Sequence, residues 1–220
     1  MIPSVADIVA VHEDALSRWE DALERSEAAL RRSVDALAPR LDDAAASLHA
    51  LVEAGHFANF TIWGLEDEAR RRDVGDARIA AVKRAIDPWN QRRNDLMEAI
   101  DAAVLVLFAN VDVQDARLHS ETAGMMIDRL SILALKIRNV ERVGADAAAQ
   151  GDAALSDDCA ARSRVLRAQR DDLAGCLAQL LEDFAAGRRY FKGYLQLKAY
   201  NDERLNPVLR AAARDRAGRL

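Results

Sequence analysis

The sequence predicts an all-α protein, a single-domain helical bundle of about five to seven helices, several of them long, over residues 1–220. Three observations carry that expectation. Alanine, leucine, arginine, aspartate and glutamate dominate while glycine (10) and proline (4) are sparse, which is the composition of long helices. Apolar residues recur at helical spacing between short polar breaks. Half of the residues are hydrophobic, enough for a sizeable core at this length, so almost no sheet and no disorder is expected.

The elements follow in order. Ile8, Trp19, Leu23, Leu30 and Val34 keep near-helical spacing from Val5 to about Leu37, interrupted by the polar His12-Glu13-Asp14 and closed by Pro39. A second helix is expected from about Leu41 to Arg72, with Arg70-Arg71-Arg72 at its negative end, where the macrodipole favours cations. A third covers Ala77 to Ala109 around Asp87-Pro88, a dipeptide that either begins a helix or kinks one. Asn110 to Gly124 reads as an ordered loop, and loops of that length are often functional. Met125 to Val143 is apolar on more than one face, hence central, and Gly144 is expected to stop it before the polar loop Gly144 to Asp152. A long helix from Ala153 to Gly187 and a last one from Arg188 to Tyr200 complete the bundle. The segment Asn201 to Pro207 ends that last helix, and residues 211–220 form a basic, fraying tail.

Several functional classes are disfavoured at once. A net charge of -5 with mixed signs lacks the clustered positive face that nucleic acid requires. The stretch MIPSVADIVA lacks a charged region followed by an apolar run, and no run of about 18 apolar residues occurs, so a cytoplasmic protein without membrane insertion is expected. Cys159 and Cys176 stand 17 positions apart in one helical segment, about 25 Å, too far to bridge, and read as two buried thiols. The four histidines show no zinc spacing, and neither a nucleophile elbow nor a phosphate loop is present.

Two polar stripes interrupt this plain picture. At about 100° per residue, Lys83, Asp87, Asn90, Asn94, Glu98 and Asp101 fall within roughly 80° of arc. His56, Asn59, Trp63, Glu66, Asp67 and Arg70 share roughly 100° on the preceding helix. Asparagine is a poor helix former, so two on one face suggest side chains making specific hydrogen bonds. Such stripes can also be closed structural networks in which arginines neutralise carboxylates. Asp128 and Arg129, near the start of an otherwise apolar helix and preceded by His119-Ser120-Glu121-Thr122, add charges that need partners.

The blocks TIWGLEDEAR, KRAIDPWNQRRNDLMEAID, LHSETAGMMIDRLSILALKI and KAYNDERLNP together resemble the bacterial family catalogued as domain of unknown function 4254. The shared strings span about two thirds of the chain, from Asn59 to Pro207. The resemblance marks Trp63, Glu66, Asp67, Arg70, Lys83, Asp87, Asn90, Gln91, Arg93, Asn94, Asp95, Glu98 and Asp101. It further marks Ser120, Glu121, Thr122, Asp128, Arg129, Lys136, Tyr200, Asn201, Asp202 and Asn206. Where the family pattern has histidine after the tryptophan this chain has Gly64, and where it has proline after the threonine this chain has Ala123; Pro88 is also atypical.

The chemistry such a set suits is that of a transferase or hydrolase acting on a phosphate-bearing small molecule such as a nucleotide or nucleotide sugar. Asp67, Glu98, Asp101 and Asp128 are the candidate catalytic acids, and Arg70, Arg93 and Arg129 the candidate anion contacts. Trp63, Glu66, Lys83, Asp87, Asn90, Asn94, His119, Glu121, Lys136, Asn201 and Asp202 fill out the expected substrate set. Mg²⁺ is the candidate cofactor, held by Asp67, Glu98 and Asp101; a metal-free site is the alternative. A homodimer is expected, and the rival function is a non-catalytic helical module that dimerises or docks a partner enzyme.

Overall fold

The computed structural model describes residues 4–25, 44–195 and 204–217. Among these the chain is all-α, with helices α1 (Val5–Arg25), α2 (Ala44–Glu68), α3 (Asp76–Leu107), α4 (Ala123–Ala149), α5 (Ala153–Ala185) and α6 (Pro207–Ala217). Strands β1 (Arg117–Leu118) and β2 (Arg189–Tyr190) form a two-residue parallel pair. No helix is long and apolar enough to cross a membrane among the described residues.

Helices α2 and α3 pack along each other as one helical hairpin and α4 and α5 as another, with α1 laid against α2, α4 and α5. One core joins Leu48 and Val52 of α2, Ile100 and Val104 of α3, Met126 and Leu130 of α4, and Leu177 and Leu180 of α5. A smaller cluster seats Ala15, Leu16 and Trp19 of α1 on Phe57, Ala134 and Leu135.

Most boundaries fall where periodicity places them, and the departures have physical reasons. The first helix is described only to Arg25, so the expected continuation to Leu37 and the break at Pro39 lie outside the described residues. Helix α3 continues through Pro88; the lost hydrogen bond falls at solvent-exposed positions, where water can serve the freed carbonyl of Arg84. Gly144 does not end α4, which runs on to Ala149 through an alanine-rich segment of high helix propensity. A β-carbon at Gly144 would lie 2.9 Å from Cys159 Cβ, so this glycine serves the close crossing of α4 and α5. The turn falls instead at Gly151, with φ of 78°, and Asp152 caps α5 by accepting from the Leu155 amide at 3.0 Å.

The expected helix over Arg188 to Tyr200 is not formed in its described part. Gly187, at φ 67°, closes α5 with the Arg188 amide donating to Asp183 O at 2.8 Å, and Arg189–Tyr190 then pairs with β1. Cys159 is buried as expected, but Cys176 is exposed. Asn206 accepts from the Val208 amide at 2.9 Å ahead of Pro207, so Asn-Pro starts α6 where the sequence reading placed an end.

Candidate functional site

The polar stripes meet the structure in two ways, the first a network closed inside the bundle. The Arg93 guanidinium clamps both oxygens of the buried Asp128, its Nε donating to Oδ1 at 2.7 Å. Asn59 Nδ2 donates to Asp128 Oδ1 and to Ser131 Oγ, each at 2.9 Å. His56 Nε2 lies 3.1 Å from the His12 carbonyl, which only accepts, so Nε2 carries the ring proton of neutral His56. Its Nδ1 therefore accepts from Ser131 Oγ at 2.7 Å. Every donor in this chain has one direction, and apart from the half-buried Arg93 its members are buried. Burial depresses the basicity of both imidazoles, His12 down to about 4 and His56 well below the usual range, with Asp128 partly offsetting the shift at His12.

A second set of predicted acids is engaged at the start of α4. Asp101 of α3 is buried and accepts from the Gly124 amide at 2.7 Å, while Thr122 caps α4 by accepting from Met125 at 3.2 Å. Burial raises Asp101 above the ordinary carboxylate range against the opposing hydrogen bonds from Thr122 and Gly124, and nearby Glu98 adds to the rise. Gly124 is required here because a β-carbon would sit 2.4 Å from the Met97 carbonyl. The run Glu121-Thr122-Ala123-Gly124 with Asp101 is thus a helix-docking device.

The open site lies elsewhere, on the outer side of the α4–α5 hairpin. A cleft of about 710 Å³ is lined by His119 and Glu121 ahead of α4, by Arg129 and Lys136 of α4, and by Gln169, Asp172 and Cys176 of α5. Met126, Ile132, Leu133 and Leu173 give it apolar surface. The β1–β2 pair holds one wall in place, because the His119 amide donates to Tyr190 O at 2.7 Å. His119 Nδ1 lies 2.8 Å from the Glu121 carbonyl; a carbonyl only accepts, so Nδ1 donates, and Nε2 is the nitrogen whose lone pair is available when the ring is neutral. Arg129 pairs with Glu121 at 2.5 Å. Lys136 has no ion-pair partner among the described residues.

Four of the predicted substrate residues, His119, Glu121, Arg129 and Lys136, come together in this cleft. The predicted catalytic acids do not. Asp128 and Asp101 are engaged as above, Asp67 is exposed on the last turn of α2, and Glu98 is half-buried on α3. No group of three or more acids, histidines or cysteines close enough to hold a metal occurs among the described residues, so Asp67, Glu98 and Asp101 do not assemble as a Mg²⁺ site. Glu66 links Arg70 and Lys83, both at 3.0 Å, in an exposed ion-pair group joining α2 to α3. Asp87 is exposed, Asn90 and Asn94 are half-buried, and Arg93 belongs to the core network. Asn201 and Asp202, with Tyr200, lie outside the described residues. A β-carbon at Gly64 would meet nothing within 4 Å, so no close contact requires glycine where the family pattern has histidine.

The sequence reading missed Ser131, His12, Gln169 and Asp172. His12 had a signal, since Ile8, His12, Leu16 and Trp19 share one apolar register; Gln169 and Asp172 had none, because polar residues recur along the exposed face of α5.

Residues 49–193 match a family model described as Protein of unknown function (DUF4254). No curated protein and no solved structure matches the chain.

Proposed function

The chain belongs to the DUF4254 family of proteins of unknown function, and from that premise we propose that it is an enzyme, a transferase or hydrolase, that takes a phosphate-bearing small molecule such as a nucleotide or nucleotide sugar in the α4–α5 cleft. The observation that carries this reading is the meeting of His119, Glu121, Arg129 and Lys136 in one cleft of about 710 Å³, a volume within the range of small-molecule sites. Lys136 and Arg129 supply cationic donors for phosphate oxygens. Glu121, Gln169 and Asp172 supply acceptors for hydroxyl groups. His119, oriented through Nδ1 with the Nε2 lone pair available, is the general base in this reading.

A second reading, a non-catalytic helical module, draws support from the closed network around Asp128 and from Leu155 and Val165, exposed at 41% and 58% on α5, where a second copy of the chain could pack.

Thermal unfolding of the full chain against nucleotides, nucleotide sugars and sugar phosphates, each with and without Mg²⁺, tests the first reading. A ligand at a hundred times its dissociation constant stabilises by about 2.7 kcal/mol, and that gain should vanish in Lys136→Ala. His119→Ala should keep the binding and lose the turnover. Silence across the panel would sink the reading and favour the module.

A further inference from the structure

A second, more apolar groove of about 440 Å³ meets the cleft at Lys136, which lines both spaces; its other walls include Trp63, Asn139, Val140, Arg162, Val165 and Leu166. The half-buried Trp63 packs against the cluster of α1, α2 and α4 and makes no ring-stacking contact among the described residues. Arg162 is already paired with Asp158 at 2.7 Å, which leaves Lys136, among the described residues, as the cation without an ion-pair partner at the junction. Along α4, Lys136 and Arg129 stand seven residues apart, about 10 Å at 1.5 Å per residue. That spacing suits an elongated anion better than a single phosphate.

We propose that the two spaces hold one ligand, a nucleoside diphosphate or its derivative, with the base in the groove against Trp63 and the diphosphate at Lys136 and Arg129. The proposal rests on the cleft being a small-molecule site and assigns the half of the ligand that the cleft leaves unassigned. The groove's chemistry selects a base over an acyl chain. Trp63 offers a ring to stack on, Val140, Val165 and Leu166 offer aliphatic faces, and the Asn139 amide offers a partner for the polar edge of a base that hydrocarbon would leave unmatched. The part of the ligand beyond the diphosphate then lies toward His119 and Glu121.

Calorimetric titration of the full chain with ADP, GDP, UDP and CDP, and separately with inorganic pyrophosphate, decides the matter. At least one nucleotide should bind ten times or more tightly than pyrophosphate. Trp63→Ala should abolish that preference while leaving pyrophosphate binding unchanged, Trp63→Phe should restore most of it, and Lys136→Ala should weaken both ligands. Equal affinity for nucleotide and pyrophosphate, or a preference insensitive to Trp63→Ala in a variant of unchanged thermal stability, would overturn the base site and leave the cleft reading standing. Failure of all four nucleotides also overturns it; sugar-phosphate binding lost in Lys136→Ala would then show that the cleft reading survives alone.

Discussion

Acid should loosen this protein through its buried imidazoles, and His12 gives the effect a size. The side chain is 1% exposed and its proton affinity is depressed from the ordinary 6.5 to about 4, chiefly by burial, with Asp128 opposing the shift. The folded state therefore keeps His12 neutral where the unfolded chain takes up a proton. A group depressed in this way leaves stability intact above its unfolded value, and that stability is lost as pH falls from 6.5 toward about 4. Linkage over this window costs about 2 kcal/mol by about pH 5 and about 3 kcal/mol by about pH 4 for His12 alone. His56, lowered for the same reason and by its neighbour His12, acts in the same direction. The comparison is between the native chain and His12→Phe, which keeps a ring against His56 and removes the titrating group. Urea unfolding followed by circular dichroism near pH 8, 6.5 and 5 gives the two stability curves. The native chain should lose about 2 kcal/mol more than His12→Phe between about pH 8 and about pH 5. Parallel curves would refute the argument and mean that His12 is solvated or charged in the folded protein.

Two further outcomes follow from the same packing. Arg93→Ala leaves the Asp128 carboxylate buried without its clamp and should cost about 3–5 kcal/mol in chemical denaturation; Arg93→Ala with Asp128→Ala should cost less than the sum of the single changes, and simple additivity would mean that the pair is not coupled. Gly124→Ala places a β-carbon 2.4 Å from the Met97 carbonyl, which only a backbone shift can relieve, so a loss of about 2 kcal/mol or more is expected. An unchanged melting temperature would contradict the close approach of α3 and α4.

How legible the site was depends on the kind of residue. Cleft-lining Glu121, Arg129 and Lys136 stand in the shared blocks, and His119 stands out as a histidine in a long loop ahead of an apolar helix. Asp101 and Asp128 look in sequence like acids available for chemistry, since helical phase puts a carboxylate on a face without saying what lies opposite. In the structure the opposite partner is a helix N-terminus for Asp101 and a guanidinium for Asp128. The second-helix stripe misleads in a related way: at its inner end His56 and Asn59 are buried, and at its outer end Asp67 and Arg70 are in solvent, so one face of one helix passes through two environments.

By itself the sequence determined the fold class, the long helices and most of their positions, because helical propensity and the 3.6-residue recurrence of apolar side chains are local properties of the chain. It also marked the polar residues that break that recurrence. Tertiary structure alone decided that Gly144 is a crossing point, that Arg189–Tyr190 pairs with Arg117–Leu118, and that Asp101 caps a helix while Lys136 stands open between two spaces. Each of these depends on which atoms from distant parts of the chain come within a few ångströms, and local periodicity does not carry that information.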